Sequence, residues 1–495
     1  MKSLAELGLR AKGGREAQIT GLSVDSRDVK PGHLFAALPG ARVHGGEFIQ
    51  YALRMQAAAI LTDAEGARIA AKEIAAGDAA LIIAEDPRQT LAQTASIWFG
   101  PHPETVVAVT GTNGKTSVAS FCRQIWEEMG LAGVNLGTTG VEGAWTHPLA
   151  HTTPEPITLH RVLSEAAQNG VTHVAMEASS HGLDQRRLDG VLLAAAGFSN
   201  FSQDHLDYHK TLAAYFDAKM ALFRRVLADG GVAVVNLDDP KGAEVAAICG
   251  EHGHEVIGVG RDSDARLHLT GQRFDTTGQD LLFSWQGKAR QARLNLIGGF
   301  QAENALLAAG LVIAAGADPE AVFETLGQLR TVRGRMELAA TRSNGAAVFV
   351  DYAHTPDAVT TALKALRPHV MGRIIVIVGA GGDRDTTKRP LMGRAAVEQA
   401  DVVIVTDDNP RSEDPAAIRA AVIAGALAEG DPASVTEVGD RAEAILRGVD
   451  MLGAGDALLV AGKGHETGQT VGDTVLPFDD VEQASVAVAA LEGRI

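Results

Sequence analysis

The chain of 495 residues has only two cysteines and no stretch that is strongly apolar or strongly basic. Cys122 and Cys249 are too few for a disulfide framework, and such low cysteine use is typical of a reducing compartment. No segment reaches about 18 consecutive apolar residues, so no membrane insertion is predicted, and the first residues do not resemble a signal peptide. The net charge of −17 and the lack of a basic stripe argue against a nucleic-acid partner.

The length predicts several domains, because 495 residues exceed what one hydrophobic core usually organises. Two segments interrupt the pattern of apolar runs. The first is "FGPHPETVVAVTG", where Gly and Pro flank the start of an apolar strand at Thr105, and the second is "LRTVRGRMEL". We therefore divide the chain into residues 1–100, 101–331 and 332–495.

The fold class is predicted as α/β. After the first interruption, apolar strands such as "VVAVTG" and "HVAMEAS" alternate with amphipathic helices, and after the second the alternation resumes with "RIIVIVGA" and "DVVIVTDD". This alternation is typical of parallel sheets covered by helices. Ligands of such sheets bind at the carboxyl ends of the strands, and polar residues cluster at those positions here.

A phosphate-binding loop follows the first of these strands, in "VVAVTGTNGKTSVASF". Gly111 and Gly114 let backbone amides approach a phosphate, Lys115 can reach the outer phosphates, and the Thr116 hydroxyl can bind Mg²⁺. Val109 stands where the full eight-residue motif has its first glycine, which leaves the shorter pattern G-x-x-G-K-T. The preceding strand and the following helix favour nucleotide binding over a chance glycine turn.

Carboxylates, histidines and one lysine follow the next strands. Glu177 ends the strand "HVAMEAS", and a cluster of acidic and histidine residues follows the third strand, namely Asp204, His205, Asp207 and His209. Oxygen donors with an occasional histidine suit Mg²⁺, whereas no Cys or His pair has zinc spacing. The alternatives are a hydrogen-bonded surface histidine pair and, for Lys219 in the apolar helix "YFDAKMALF", a lysine that reaches to solvent.

Arg411 lies in the acidic turn "TDDNPRSEDP", directly after an Asn-Pro pair. Two interpretations are open from these residues alone. The arginine is either solvated in a surface turn, or it is held rigidly to bind the carboxylate of a ligand.

Taken together, these stretches resemble the Mur ligases of peptidoglycan synthesis over nearly the whole chain. The resemblance rests on the order and spacing of many motifs, which are "VDSRDVKPGHLFAALPG", "TGTNGKTS", "HTTPEP", "MEASSHGL", "DHLDYH", "YFDAKMALF", "GGFQAENALLAA", "RGRMEL", "DYAHTPDA", "GAGGDRDTTKRPLMG", "DDNPRSEDP" and "GKGHE".

The resemblance implies a small mixed α/β N-terminal domain for the UDP-sugar (1–100), a P-loop central domain for ATP (101–331) and a Rossmann-like C-terminal domain for an amino acid (332–495). It implies a cytoplasmic, monomeric, ATP-dependent ligase of peptidoglycan precursor synthesis. The expected reaction joins meso-2,6-diaminopimelate to the D-Glu side-chain carboxylate of UDP-N-acetylmuramoyl-L-Ala-D-Glu through an acyl phosphate. The alternatives are L-lysine as the amino acid, another Mur or folylpolyglutamate-type ligase, and a nucleotide-binding regulatory protein.

The resemblance also implies roles for individual residues. The catalytic residues are Lys115, Lys219, His205 and Glu177. ATP is bound by Gly111, Thr112, Asn113, Gly114, Lys115, Thr116, Ser117, Asn304, Arg335, Asp351 and His354. The UDP-sugar dipeptide is bound by Val24, Ser26, Ala41, Arg42, Val43, His151, Thr152, Thr153, Ser179, Gln185 and Arg187. Diaminopimelate is bound by Arg384, Asp408, Asn409, Pro410, Arg411, Gly462 and Glu466.

The cofactors implied by the resemblance are ATP and Mg²⁺, together with a CO₂-derived carbamate on Lys219. The metal ligands are Thr116, Glu177, His205 and the carbamate, which is an N6-carboxylysine. Two positions depart from the common family pattern: Gln203 stands where many members have Arg, and "GARVHGGEFI" replaces an Asp-Gly-His before the Phe. Both concern contacts with the substrate rather than the reaction.

Overall fold

A computed structural model describes residues 1–40 and 43–494, without the side chains of Asp207, Glu429 and Pro432. Ala41 and Arg42, two of the predicted UDP-sugar contacts, lie outside the described residues. The described part contains one four-stranded, one ten-stranded and one six-stranded sheet, with two further pairs of strands. It contains no helix with the length and apolar character needed to cross a membrane.

The first sheet has the order β3-β4-β5-β6, and all its neighbouring strands are parallel. Along β4 the buried side chains alternate, so that Leu34 and Ala36 pack in one core and Phe35 in another on the opposite face. The elements of this part are β1 (Lys2–Ser3), β2 (Gln18–Ile19), β3 (Gly21–Ser23), β4 (His33–Ala36), α1 (Ile49–Arg54), β5 (Ala59–Thr62), α2 (Ala64–Ile69), α3 (Ala71–Ala76), β6 (Ala80–Ile83) and α4 (Pro87–Phe99).

The second sheet has the order β16-β15-β14-β13-β12-β11-β7-β10-β8-β9. Its elements are β7 (Thr105–Thr110), α5 (Lys115–Glu128), β8 (Gly133–Gly137), β9 (Gly140–Gly143), α6 (Pro156–Gln168), β10 (His173–Glu177), α7 (Ser180–Asp184), β11 (Leu193–Phe198), α8 (Leu206–His209), α9 (Leu212–Ala221), β12 (Leu227–Asn236), α10 (Gly242–Glu251), β13 (Glu255–Gly260), β14 (Leu267–Asp275), β15 (Gly278–Trp285), β16 (Lys288–Leu294), α11 (Phe300–Ala314) and α12 (Pro319–Thr325).

Both faces of the second sheet are covered. Val107 and Val109 of β7 pack with α5 and α11, whereas Val106 and Ala108 pack with residues of α6 on the other face. Burial on both faces explains why the strands of this sheet read as continuous apolar runs.

The third sheet has the order β17-β18-β22-β19-β20-β21, and only the β17–β18 pair is antiparallel. Its strands also divide their side chains between two cores, with Val376 of β19 on one face and Ile375 on the other. The elements are β17 (Glu337–Thr341), β18 (Ala347–Asp351), α13 (Pro356–Leu366), β19 (Ile374–Val378), α14 (Lys388–Gln399), β20 (Val402–Val405), α15 (Pro415–Glu429), β21 (Val435–Glu437), α16 (Arg441–Asp450), β22 (Ala457–Ala461), β23 (Gly468–Val471), β24 (Thr474–Pro477) and α17 (Asp480–Leu491).

The predicted α/β class is confirmed, and a strand begins at Thr105 as expected. The prediction of purely alternating strands and helices missed the edge of the second sheet, where β15 pairs antiparallel with both β14 and β16. These strands are joined by short turns, and buried residues alternate in them with exposed or half-buried ones, so they lack the long apolar runs on which the prediction was based.

Candidate active site

The phosphate loop lies where four parallel strands of the second sheet end. The strands β7, β8, β10 and β11 are neighbours, so their carboxyl ends meet at one edge of the sheet. A cavity of about 650 Å³ opens there. It is lined by most of the predicted nucleotide and catalytic residues, namely Thr112, Asn113, Gly114, Lys115, Thr116, Ser117, Glu177, His205, Lys219, Asn304, Arg335, Asp351 and His354.

The loop is shaped by its neighbours as well as by its glycines. Gly114 has φ +84°, and a Cβ there would lie 2.6 Å from Asn304 Oδ1, so both the turn and the close approach of α11 require glycine. Asn200, after β11, accepts a hydrogen bond from the Asn113 amide at 2.8 Å and from the Thr112 amide at 2.9 Å. Helix α5 then begins at Lys115, which directs its positive end at the cavity.

Two lysine side chains donate to the same backbone oxygen. Lys115 Nζ lies 2.8 Å from the carbonyl oxygen of Gly111, and Lys219 Nζ lies 2.6 Å from it. Lys219 is 1% exposed, so it does not reach solvent. Burial lowers the pKa of Lys219 well below its usual value, and the charge of Lys115 lowers it further. Both effects favour the neutral, nucleophilic form of the Lys219 amine over the ammonium form.

Glu177, at the end of β10, is a buried carboxylate that accepts three hydrogen bonds. Its Oε2 accepts from the Thr116 hydroxyl at 3.0 Å and from the Thr138 hydroxyl at 3.2 Å, and its Oε1 accepts from the Thr138 amide at 2.7 Å. Gly137 precedes this amide, and a Cβ on Gly137 would lie only 2.0 Å from Glu177 Oε1. The carboxylate is thus held in one position by β8 and α5.

The predicted metal ligands fit a hard cation only in part as they stand. Thr116 and Glu177 present adjacent oxygens, and the ring of His205 lines the same cavity. Lys219 as an ammonium group could not bind a cation, whereas its carbamate would add an oxygen donor. Within residues 1–40 and 43–494 no group of three or more His, Cys, Asp or Glu side chains could hold a metal. Thr116 and Glu177 are therefore the oxygen donors of this set that suit Mg²⁺ as they stand.

The third sheet supplies one wall of the cavity. The Arg335 guanidinium lies 4.4 Å from the centre of the Tyr352 ring, and its Nη2 lies 3.3 Å from Thr116 Oγ1. Asp351 ends β18 and accepts from the Met336 amide at 2.7 Å, and burial raises the pKa of Asp351. His354 Nδ1 donates to the Tyr352 carbonyl at 2.9 Å, and burial lowers the pKa of His354, aided by the charge of Lys388.

Most of the predicted UDP-sugar residues in the described part of the chain line one of three cavities, one of which contains the phosphate loop. Val24, Ser26 and Val43 line a cavity of about 820 Å³ on the first sheet. Val24 also lines a small cavity of about 110 Å³, together with Gln185 and Arg187, which follow α7. Further on, Thr152 and Ser179 line the 650 Å³ cavity, and buried Thr153 donates to the Glu177 carbonyl at 2.8 Å. His151 is exposed.

The predicted diaminopimelate residues follow the carboxyl ends of β19, β20 and β22, outside the lining of the 650 Å³ cavity. Asn409 Nδ2 donates to Glu466 Oε2 at 2.9 Å, which joins the two loops, and Gly462 lies beside Asp408 with φ +116°. Arg411 has φ +51° and is fixed by backbone hydrogen bonds with Thr470 and Gly472. Its Nη1 donates to the Gly382 carbonyl at 2.7 Å, in the same loop as exposed Arg384.

Three family descriptions match this chain in succession. "Mur ligase family, catalytic domain" matches residues 18–98, "Mur ligase middle domain" matches 109–312, and "Mur ligase, glutamate ligase domain" matches 334–464. The chain belongs to the Mur ligase family. Each of its three sheets lies largely within one of the matched ranges.

Named relatives of this Mur ligase cover almost its whole length. A UDP-N-acetylmuramoyl-L-alanyl-D-glutamate--2,6-diaminopimelate ligase of Bradyrhizobium diazoefficiens is 48% identical and covers 96% of this chain and 95% of its own. The enzyme of the same name from Rhizobium meliloti is 46% identical, with 98% of each chain covered. A solved structure of a ligase with this name is 32% identical, with a TM-score of 0.69 over 96% of this chain and 95% of its own.

The structure adds residues to this Mur ligase site that the sequence interpretation missed. Thr138 and Asn200 hold Glu177 and the phosphate loop, as described above, and Lys463 lies completely buried beneath Asn409. Asn200 and Thr138 each follow a strand of the second sheet, which is the same positional signal that identified Glu177. Lys463 lies within the quoted "GKGHE" motif, but no pattern of residues around it in the sequence predicts that its side chain is buried.

Proposed function

We propose that the chain is an ATP-dependent ligase that adds meso-2,6-diaminopimelate to UDP-N-acetylmuramoyl-L-Ala-D-Glu in the synthesis of peptidoglycan precursors. The observation that carries the choice of amino acid is Arg411. Within the described residues no carboxylate oxygen lies within 4 Å of its guanidinium, although Asp408 and Glu466 lie in the same site. The 46–48% identical relatives named for this reaction support the proposal.

The site suits an amino acid with a distal carboxylate and a distal ammonium group. Arg411 can bind the carboxylate through paired hydrogen bonds, while the carboxylates of Asp408 and Glu466 favour the ammonium group. L-Lysine lacks the distal carboxylate, so binding it would leave the Arg411 guanidinium without its anion. Pro410 and the backbone contacts of Arg411 limit its freedom to adapt.

We propose that ATP binds with its phosphates at the loop Gly111–Thr116, where Lys115 and the start of α5 offset their charge. The D-Glu side-chain carboxylate attacks the γ-phosphorus, the bond to the β-phosphate oxygen breaks, and ADP leaves. The amine of diaminopimelate then attacks the acyl phosphate carbon, loses a proton and expels inorganic phosphate. Closure of residues 332–495 over the cavity, with a hinge near Thr331–Arg335, would exclude water that could hydrolyse the acyl phosphate.

Lys219 is proposed to act as its carbamate. The neutral amine attacks the carbon of CO₂, a C–N bond forms as one C=O π bond opens, and the nitrogen releases a proton, which converts a neutral buried amine into an anion. Thr116, Glu177, His205 and this carbamate would then hold Mg²⁺, which supplies charge neutralisation at the phosphates when bound. Glu177 and Thr116 are already fixed at 3.0 Å from each other. The nucleotide-linked acceptor favours a cytoplasmic location, and we propose a monomer.

The proposal is tested by phosphate release with the nucleotide acceptor and ATP, comparing meso-diaminopimelate with L-lysine. Wild type, Arg411→Ala and a surface control, Arg447→Ala on α16, are compared. We expect a preference for diaminopimelate of about 100-fold or more that is lost in Arg411→Ala and kept in the control. Equal use of both amino acids by wild type would contradict the specificity. No release with either amino acid would instead favour a related ligase or a nucleotide-binding protein.

A further inference from the structure

An exposed hairpin lies beside the proposed amino-acid site. Strands β23 (Gly468–Val471) and β24 (Thr474–Pro477) pair antiparallel and form a two-stranded sheet of their own. Every residue of β24 is exposed, and Val475 keeps 66% of its surface in solvent. A two-stranded hairpin is only marginally stable by itself in water, so its contacts with the rest of the chain fix its position.

This hairpin is hydrogen-bonded to the loop that carries Arg411. The Arg411 amide donates to the Thr470 carbonyl at 3.0 Å, and the Gly472 amide donates to the Arg411 carbonyl at 2.7 Å. Arg411 and Val471 thereby form a parallel bridge, so the loop adds one strand-like residue to the hairpin. The hairpin thus engages both the backbone donor and the backbone acceptor of Arg411.

Two further hydrogen bonds join the hairpin to the residues that precede Arg411 in the loop. Gln469 Nε2 donates to the Asp408 carbonyl at 2.7 Å. The Thr470 amide donates to Asn409 Oδ1 at 2.9 Å. The hairpin therefore contacts three of the residues predicted to bind the amino acid, and its own residues 469, 470 and 472 make these contacts.

Arg411 needs external support because its backbone conformation is unfavourable. Its φ of +51° lies in the left-handed region, which residues other than Gly, Asn and Asp rarely adopt. Such a conformation persists only where the surrounding structure fixes it. The guanidinium is also fixed at its other end, because Nη1 donates to the Gly382 carbonyl at 2.7 Å. A Cβ on Gly381 would lie 2.8 Å from this nitrogen, so the side chain fits closely.

A rigid Arg411 has a consequence for the choice of amino acid. A fixed guanidinium that is left without its anion costs binding energy, whereas a mobile arginine can turn to solvent and avoid most of this cost. An amino acid without a distal carboxylate is therefore rejected only if the loop cannot rearrange. Discrimination then depends on the groups that fix Arg411 as well as on Arg411 itself.

We propose that the β23–β24 hairpin determines the selectivity for an amino acid with a distal carboxylate, with Gln469 and Gly472 as positioning residues. The hairpin fixes Arg411 before the ligand arrives, which favours the correct amino acid and penalises one that leaves the arginine unpaired. The inference rests on the proposed function for the identity of the two amino acids, whereas the contact between the hairpin and the loop does not.

The proposal is tested on wild type and on variants of the hairpin. In Gly472→Pro the amide that donates to Arg411 is lost, and proline cannot adopt the φ of +57° found at this position. Gly472→Asn keeps the amide, asparagine tolerates this φ, and the new Cβ would meet nothing within 4 Å. Gln469→Met removes only the side-chain donor to Asp408. The control is Val475→Thr, which changes an exposed side chain of β24.

Phosphate release with the nucleotide acceptor and ATP gives kcat and KM for meso-diaminopimelate and for L-lysine. We expect Gly472→Pro to raise the KM for diaminopimelate by roughly 10- to 100-fold, with kcat/KM for L-lysine unchanged or higher. Gln469→Met should change the KM in the same direction by about threefold or more. Gly472→Asn and the control should match wild type within about twofold, as should the KM for ATP in all variants.

General loss of structure would lower the activity with both amino acids, so the ratio of their kcat/KM values is the decisive readout. An unchanged ratio in Gly472→Pro, with a wild type that prefers diaminopimelate, would overturn the proposal. Hydrogen exchange of the peptide containing residues 406–413 tests the contact without substrates. Exchange should be about tenfold faster or more in Gly472→Pro than in wild type, and unchanged in the control.

A wild type that uses neither amino acid, or both equally, would instead overturn the proposed function. In that case hydrogen exchange still decides whether the hairpin fixes the loop. Equal exchange of residues 406–413 in wild type and Gly472→Pro would show that the hairpin does not position Arg411.

Discussion

The ammonium group of Lys463 lies 3.1 Å from the side-chain oxygen of Asn409. The same nitrogen lies 3.2 Å from Glu466 Oε2 and 3.7 Å from Asp408 Oδ1, and the Lys463 side chain has no exposed surface. One buried cation thus joins three residues of the proposed amino-acid site, two from the loop after β20 and one from the loop after β22.

Replacing Lys463 with Met should raise the KM for diaminopimelate by tenfold or more, because Asp408 and Glu466 would repel each other and Asn409 would lose its anchor. The KM for ATP should stay within about twofold. The matched control is Arg373→Met, which removes the 2.7 Å pair with Asp456 at the opposite end of β22. Both variants should lower Tm, but an unchanged KM for diaminopimelate in Lys463→Met would contradict the positioning role.

Gly137→Ala should lower turnover by roughly 100-fold while the protein remains folded. Its Cβ would overlap Glu177 Oε1, so the carboxylate must move away from Thr116. Phosphate release and circular dichroism measure the two effects. Gly271→Ala in β14 serves as the control, since its Cβ would meet only Leu282 Cβ at an ordinary 3.5 Å. Equal activity of the two variants would show that the position of Glu177 is unimportant.

Lys219→Ala should abolish measurable turnover, and added acetate or formate should restore part of it by supplying a carboxylate in the vacated space. Removal of CO₂ and bicarbonate should reduce the wild-type rate reversibly. The exposed residue Lys210 provides the control substitution, Lys210→Ala. Phosphate release is the measurement. Full activity of Lys219→Ala, or a wild-type rate that does not depend on CO₂, would contradict the proposal that Lys219 acts as a carbamate.

Glu303 should make the stability of the protein depend on pH between about 4.5 and 7. Burial, and next the charge of Asp238, raise the pKa of Glu303 to about 7 from an ordinary 4.5. The folded state then keeps a proton that the unfolded state loses, so stability decreases as pH rises through this range and is level above it.

Glu303→Gln removes this titration. The variant should therefore match wild type near pH 4.5 and be more stable at pH 8, by on the order of 3 kcal/mol. Thermal unfolding at the two pH values measures the difference, with Glu324→Gln on the exposed face of α12 as the control. If the stability difference between wild type and Glu303→Gln is the same at both pH values, the raised pKa of Glu303 is contradicted.

Much of the site could be located from local patterns. The loop from Gly111 to Thr116 is contiguous in sequence, and strands that end in Glu177 or Asp351 carry their polar residues at the positions where parallel sheets bind ligands. The antiparallel edge strands β14 to β16 could not be found in this way, because their pairing depends on turns and neighbours rather than on a continuous apolar run.

The alternation of apolar strands with amphipathic helices was sufficient to predict the α/β class, because burial of both faces of a parallel sheet imposes that pattern on the chain itself.

The burial and the hydrogen-bond partners of single charged groups could not be predicted from the sequence in the same way. Lys219 in its apolar helix could equally have reached solvent, and only folding places its amine on the Gly111 carbonyl beside Lys115, more than a hundred residues away. Likewise Arg88 lies on α4 and Arg187 follows α7, about a hundred residues later, and the cavity that both line exists only in the folded chain. Charge and hydrogen-bond energies depend on distance and burial, which are properties of the packed chain and not of sequence neighbours.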